Sequence, residues 1–138
     1  MAFAISREDQ AFQQQVESGV FSIDDFNHRA HLRLAYIYLS NNDRATCVTL
    51  VRTTLTGLLV KNDIEPANVY HETLTHAWIQ LVENTMKNSP PTLSAECFIE
   101  NNPQLFDKNI LSKHYSEAVL NSDAAKASFI APNLQPII

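Results

Sequence analysis

Four side chains stand out in this sequence for what they could ligate or protonate: His28, His31, His71 and Glu72. His28 and His31 stand at i and i+3, one helical turn apart on a single face, and His71 and Glu72 are adjacent. Neutral imidazoles joined by a carboxylate suit Zn, Fe, Ni or Cu, and nothing in the spacing chooses among these divalent transition metals. The same side chains would serve a metal-free pocket, as acid/base groups or as contacts to a small-molecule ligand, an anion included. The plainer reading is structural. A histidine on an apolar face commonly has one ring nitrogen donating to a carbonyl and the other accepting from a hydroxyl, and Tyr38, Tyr70 and Thr75 are available for that.

Tyr70, Thr75 and Trp78 are expected to line the pocket, joined by His114 and Tyr115 if the C-terminal region folds over the helices. Trp78 reads first as a core anchor. Cys47 has no neighbouring base and sits among apolar positions, which argues against a nucleophile. Glu72 and His76, at i and i+4, read as an exposed helix pair of small energetic value.

The elements that must position these residues are helices. Ser22, Ile23, Asp24 and Asp25 form a capping pattern with acids at the positive end of a helix dipole, and predict a helix running to about Ser40. At 100° per residue, Phe26, Ala30, Leu34, Ile37 and Tyr38 share one face, with Arg29, Arg33 and Tyr36 on the opposite, wetter side. His28, His31, Ala35 and Leu39 extend the apolar face, so both histidines are expected to be largely buried. A second organising helix spans about 69–87, capped by Asn68 or a neighbour. On it Tyr70, His71, Leu74, Trp78, Leu81 and Val82 face inward, while His76, Gln80 and Glu83 face outward and Glu72 lies at the boundary.

Around these two, Ser6 and Asp9 form a capping box for a first helix ending near Ser18, before Gly19. Asn41, Asn42 and Asp43 turn the chain into a strongly apolar helix carrying Cys47, Val48, Leu50, Val51, Leu55, Leu58 and Leu59 to about Lys61. That helix is expected to lie antiparallel to the one before it. Pro90 and Pro91 break the chain, and Thr92 then caps a short helix to about Glu100. Asp107 caps another to His114, and Ser122 with Asp123 a third to about Ile130. Residues 131–138, with two prolines, read as an extended tail docked on the body.

At 138 residues the chain suits one domain, spanning 1–138, with a single core. Only two glycines occur, which counts against many tight turns and against a glycine-rich phosphate loop. A net charge of −5 offers no attraction for nucleic acid or an anionic membrane. No run of about 18 apolar residues is present to span a bilayer. Cys47 and Cys97 lie far apart in sequence and are expected to be reduced core residues. The expected location is cytoplasmic. An apolar face left uncovered by only four long helices would favour a homodimer.

Two motifs carry a resemblance. Phe26, His28, His31 and Leu32, then Tyr70, His71, Glu72, Thr73, Thr75 and Trp78, resemble a family of small bacterial all-helical proteins to which no activity is attached. The likeness extends to Leu111, His114, Tyr115, Ser116, Ala125, Lys126, Phe129, Ile130, Pro132, Asn133, Leu134, Gln135 and Pro136. Arginine is more usual in that family at the Lys126 position and aspartate at Asn133. The resemblance implies a site at His28, His31, His71 and Glu72 and supplies no reaction.

The sequence therefore predicts an all-α, single-domain bundle of about four main helices, with short helices and an extended C-terminal tail. Its expected function is binding, or catalysis, in a His-rich pocket between the second and fourth main helices. The rival from another class is a protein-interaction module whose histidines form a hydrogen-bonded structural core.

Overall fold

The computed structural model describes residues 3–107 and 109–137, and among these every regular element is a helix or a 3-10 turn. Eight helices follow in order: α1 (Arg7–Ser18), α2 (His28–Asn41), α3 (Arg44–Lys61), α4 (Pro66–Val69), α5 (Glu72–Lys87), α6 (Ala95–Glu100), α7 (Glu117–Leu120) and α8 (Asp123–Ala127). Four of them, α1, α2, α3 and α5, are long, as expected. Lys108, inside the predicted 107–114 helix, and Ile138, at the end of the predicted tail, lie outside the described residues.

Helix α1 begins at the predicted capping box, with Ser6 Oγ accepting from the Asp9 amide and the Asp9 carboxylate accepting from the Ser6 amide. Asp9 does more than cap. It is buried, and it also accepts from the Ala95 amide at 2.9 Å and from Arg33 Nε at 3.0 Å, tying α1 to α6 and α2. These partners hold its carboxyl below the usual range although burial pushes the other way. Gly19 ends the helix in the left-handed conformation, at φ 80°, where a side chain would be strained and would collide with Lys61.

The start of α2 differs from the sequence expectation. Residues 23–25 form a separate 3-10 turn, Ser22 makes no capping bond, and Asn27 is the cap, its side chain accepting from the Ala30 amide at 3.0 Å. Asparagine in extended backbone satisfies a free helix amide directly, which prevails over a serine five residues upstream. His28 and His31 thus fall in the first turns of α2 rather than in mid-helix.

Tyr36 is also corrected: it is fully buried. Its hydroxyl donates to the Ala4 carbonyl at 2.7 Å and meets the Thr92 hydroxyl at 2.9 Å. The face predicted to be wet is covered by the N-terminal segment and by α6, against which Phe98 and Phe3 pack on the Tyr36 ring. Thr92 is occupied there, and Ser94 caps α6 instead.

A two-residue connection turns the chain from α2 into α3, capped by Asp43 as predicted. The apolar positions read from α3 are buried except Leu50, which is half-buried, and Cys47 is sealed against the Ala35 carbonyl. Burial pushes its thiol up to about 12. Cys97, expected in the core, is exposed.

Helix α5 is the centre of the molecule. One side packs Ile79, Val82 and Met86 into the main core with α1, α2, α3 and α6, and the other packs Ala77 and Leu81 against Leu111, Tyr115 and Ile137. The C-terminal region is therefore a second layer on α5. Helix α8 starts at Ser122 as predicted but stops at Ala127, because the following backbone bonds to α5 instead: Thr73 Oγ1 donates to the Ser128 carbonyl and accepts from the Ile130 amide. The tail then bends at Asn133, Leu134 and Gln135 rather than running fully extended, and docks, with the Leu134 and Gln135 amides donating to the His114 and Lys113 carbonyls and Gln80 donating to the Ile137 carbonyl.

Candidate functional site

The first turns of α2, the middle of α3 and the start of α5 enclose a cavity of about 520 Å³. Val51, Leu55 and Leu58 form one wall, Phe26 and Ala35 a second, and Leu74, Trp78 and Ile79 a third. Ile64, Val69 and Tyr70 close it from the segment around α4. Exposed Asn27, His31 and Val69 mark the edge where it meets solvent. All three predicted histidines, His28, His31 and His71, line it, together with Tyr70, Thr75 and Trp78. His114 and Tyr115 do not. His114 Nδ1 donates to the Gln135 carbonyl and Tyr115 is buried with its hydroxyl on the Ile130 carbonyl, so both belong to the tail layer.

The three rings are held differently. His71 is the N-cap of α5, a position periodicity alone had placed inside a longer helix: the chain is extended at Tyr70 and His71, and the turn before it, opened by Pro66, is the separate α4. Asn68 lies within that turn and is not a cap. His71 Nδ1 accepts from the Leu74 amide at 3.0 Å, and Nε2 donates to the Leu120 carbonyl at 2.8 Å. This specifies the neutral Nε2–H tautomer with both nitrogens engaged.

His28 is half-buried, its ring edge-on to Trp78 at 4.4 Å and to Phe106 at 5.6 Å. Its Nε2 lies 2.9 Å from the Leu105 carbonyl, an acceptor, so Nε2 carries a proton, and in the neutral ring Nδ1 keeps its lone pair. His31 is exposed rather than largely buried. Its Nδ1 donates to the Asn27 carbonyl at 3.2 Å, which leaves Nε2 as an acceptor. The open space beside the ring is the cavity mouth, walled by apolar side chains, and Phe26 stands 4.7 Å away. Those surroundings hold the imidazole below its ordinary value; the Asn27 carbonyl works the other way and the nearby His28 adds to the lowering.

Glu72 faces away from the histidines. It is buried, with Arg52 Nε on Oε1 at 3.0 Å, a second Arg52 contact from Nη2 to Oε2, Tyr70 OH on Oε1 at 2.7 Å and His76 Nε2 on Oε2 at 2.9 Å. The Arg52 hydrogen bonds outweigh burial and bring its carboxyl down to about 2. Tyr70 moves oppositely, to about 12, chiefly through burial. The Glu72 and His76 pair is thus part of a compact node, with the His76 ring stacked on Phe129 at 4.4 Å, and not an exposed pair. Arg52 had no sequence signal beyond being a charge on an apolar helix.

The predicted metal set does not fit. His71 as a ligand would give up either the α5 cap or its bond to Leu120, and Glu72 is saturated by Arg52, Tyr70 and His76. Among the described residues no group of three or more His, Cys, Asp or Glu is placed to hold a metal ion. What remains at the cavity is His28 and His31, each with one ring nitrogen that has no protein partner among the described residues. The α3 wall was not legible as part of a site, because an apolar helix that lines a cavity has the same pattern as one that fills a core.

No family model matches the chain, and no curated protein and no solved structure matches it. No described helix is long and apolar enough to cross a membrane.

Proposed function

We propose that this protein binds a small molecule in the cavity between α2, α3 and α5, with His28 and His31 as its polar contacts. The observation that carries this reading is the pairing of an apolar, partly open cavity with two imidazoles that keep a free nitrogen. Its volume falls within the roughly 300–1,000 Å³ typical of ligand sites, and such sites combine apolar walls with a few placed polar groups. A well-packed core has no comparable space.

The structural reading of the histidines is supported at one position, His71, whose two nitrogens are spent on the α5 cap and on Leu120. It does not extend to His28 and His31.

Trp78 is the sole tryptophan and lines the cavity, so its fluorescence reports directly on occupancy. A fragment screen read by Trp78 emission, with amide shifts in ¹⁵N–¹H spectra to locate each hit, is the test. A saturable change, with shifts clustered on the first turns of α2, the middle of α3 and the start of α5, is expected. Hits that map elsewhere, or none from a library of apolar and mixed fragments, would refute the site.

A further inference from the structure

Resting on that cavity reading, we infer that the ligand is an uncharged, largely apolar molecule carrying a hydroxyl or N–H donor, which the ring of His28 or His31 accepts. Among the described residues, no Lys, Arg, Asp or Glu lines the cavity. Arg52 and Glu72, each next in sequence to a lining residue, are turned on each other. A ligand carboxylate or ammonium would lose its water without a countercharge, and that loss is costly.

Apart from the Asn27 side-chain NH2 at the exposed mouth, which has no partner among the described residues, the cavity's other polar groups are already used within the protein. The Tyr70 hydroxyl donates to Glu72, the Thr75 hydroxyl donates to the His71 carbonyl, and Asn27 Oδ1 accepts from the Ala30 amide. His71 has no nitrogen to offer. Beyond the Asn27 NH2, the remaining capacity is two acceptors, His28 Nδ1 and His31 Nε2, because in each ring the other nitrogen gives its proton to a backbone carbonyl. His28 Nδ1 is not sealed in, since no buried side-chain polar atom of the described residues lacks a partner.

Both rings must stay neutral for this, and His31 is disposed to do so. Apolar walls favour its neutral form, and the N-terminal end of α2 is the unfavourable end for a cation. Two ring acceptors, beside a single uncharged amide donor at the mouth, select an uncharged ligand that donates. An anion meets the ring lone pairs, a plain hydrocarbon pairs with neither nitrogen, and an alcohol or amide N–H pairs with one of them.

The test is a matched series on one skeleton, biphenyl, 4-biphenylmethanol, 4-biphenylcarboxylate and 4-biphenylmethylamine, titrated into the whole protein at pH 7.5 by Trp78 quenching and calorimetry. The alcohol is expected to bind tightest, about tenfold or more above the carboxylate and the ammonium, which must desolvate a charge. In whichever of His31→Leu and His28→Leu removes the accepting ring, its advantage over biphenyl should shrink while biphenyl itself still binds. Should a variant fail to fold, the ¹⁵N shifts of His28 Nδ1 and His31 Nε2 in the unmodified protein still decide, since the alcohol must move at least one of them. Tightest binding by the carboxylate or ammonium, or equal binding of alcohol and biphenyl, would overturn the ligand class and leave the cavity reading standing. No saturable binding by any of the four would overturn this inference, and the fragment screen would then separately decide whether the cavity binds anything.

Discussion

Replacing His71 by alanine removes two bonds at once, and the structure separates their worth. Nδ1 caps the Leu74 amide, a contribution of about 1 kcal/mol within a range of roughly 0.5–2. Nε2–H satisfies the Leu120 carbonyl, worth about 0.5–1.5 kcal/mol. Together the loss is about 1.5–3 kcal/mol. For a chain of 138 residues the unfolding entropy is about 0.3 kcal/mol/K, so His71→Ala should lower Tm by about 5–10 °C. His71→Asn is the decisive companion. Asparagine caps as well as any residue but is too short to reach Leu120, so it should cost only about 2–5 °C. Differential scanning calorimetry of the three proteins at one concentration checks this, with far-UV circular dichroism to confirm that helix content is kept. If Ala lies within about 1 °C of the parent, or Asn is as damaging as Ala, the capping role is wrong and His71 is free to serve the cavity.

Glu72 should make the protein acid-sensitive in a definite window. Its carboxyl is held at about 2 in the folded chain against an ordinary 4.5, so the stability it contributes is fully present above about 4.5 and is lost as pH falls towards 2. The linkage is roughly 3 kcal/mol unscreened. The Arg52 side chain is 42% exposed, and solvent screening brings this to about 1–2 kcal/mol. Urea melts of the parent and of Glu72→Gln between pH 6 and pH 2.5 should converge as pH falls; parallel loss in both would contradict the node. The cysteines give a second check, since Cys97 is exposed while Cys47 is sealed and its thiol is raised to about 12. An aromatic disulfide reagent should titrate one thiol quickly and the second only on unfolding, and two fast thiols would place Cys47 wrongly.

Much of the fold was legible because it is written locally. The Ser6 and Asp9 box, Gly19, the Asp43 cap, the apolar positions of α3 and the cap at Ser122 depend on neighbours three or four residues away, which any reading of the chain contains. Some departures were local, at the Asn27 cap of α2 and the His71 cap of α5, and others came where a distant partner changed the outcome. Tyr36 looked outward until the Ala4 carbonyl and Thr92 were placed above it, and taking Thr92 for that purpose moved the α6 cap to Ser94.

The histidines divide along the same line. That His28, His31 and His71 would meet one space follows from their helix faces, and α2 and α5 do pack together there. Periodicity carries no information about which ring nitrogen is spent. That was decided by carbonyls far along the chain, Leu105 for His28 and Leu120 for His71, and by Arg52 twenty residues before Glu72, which draws the carboxylate out of the site. The sequence by itself determined the helical class, the main helix boundaries to within a turn or so, and the residue types at the cavity. Tertiary structure alone decided that the space exists, that His71 and Glu72 are structural, and that two acceptors remain, because hydrogen-bond capacity is allotted among groups that only folding brings within 3 Å of each other.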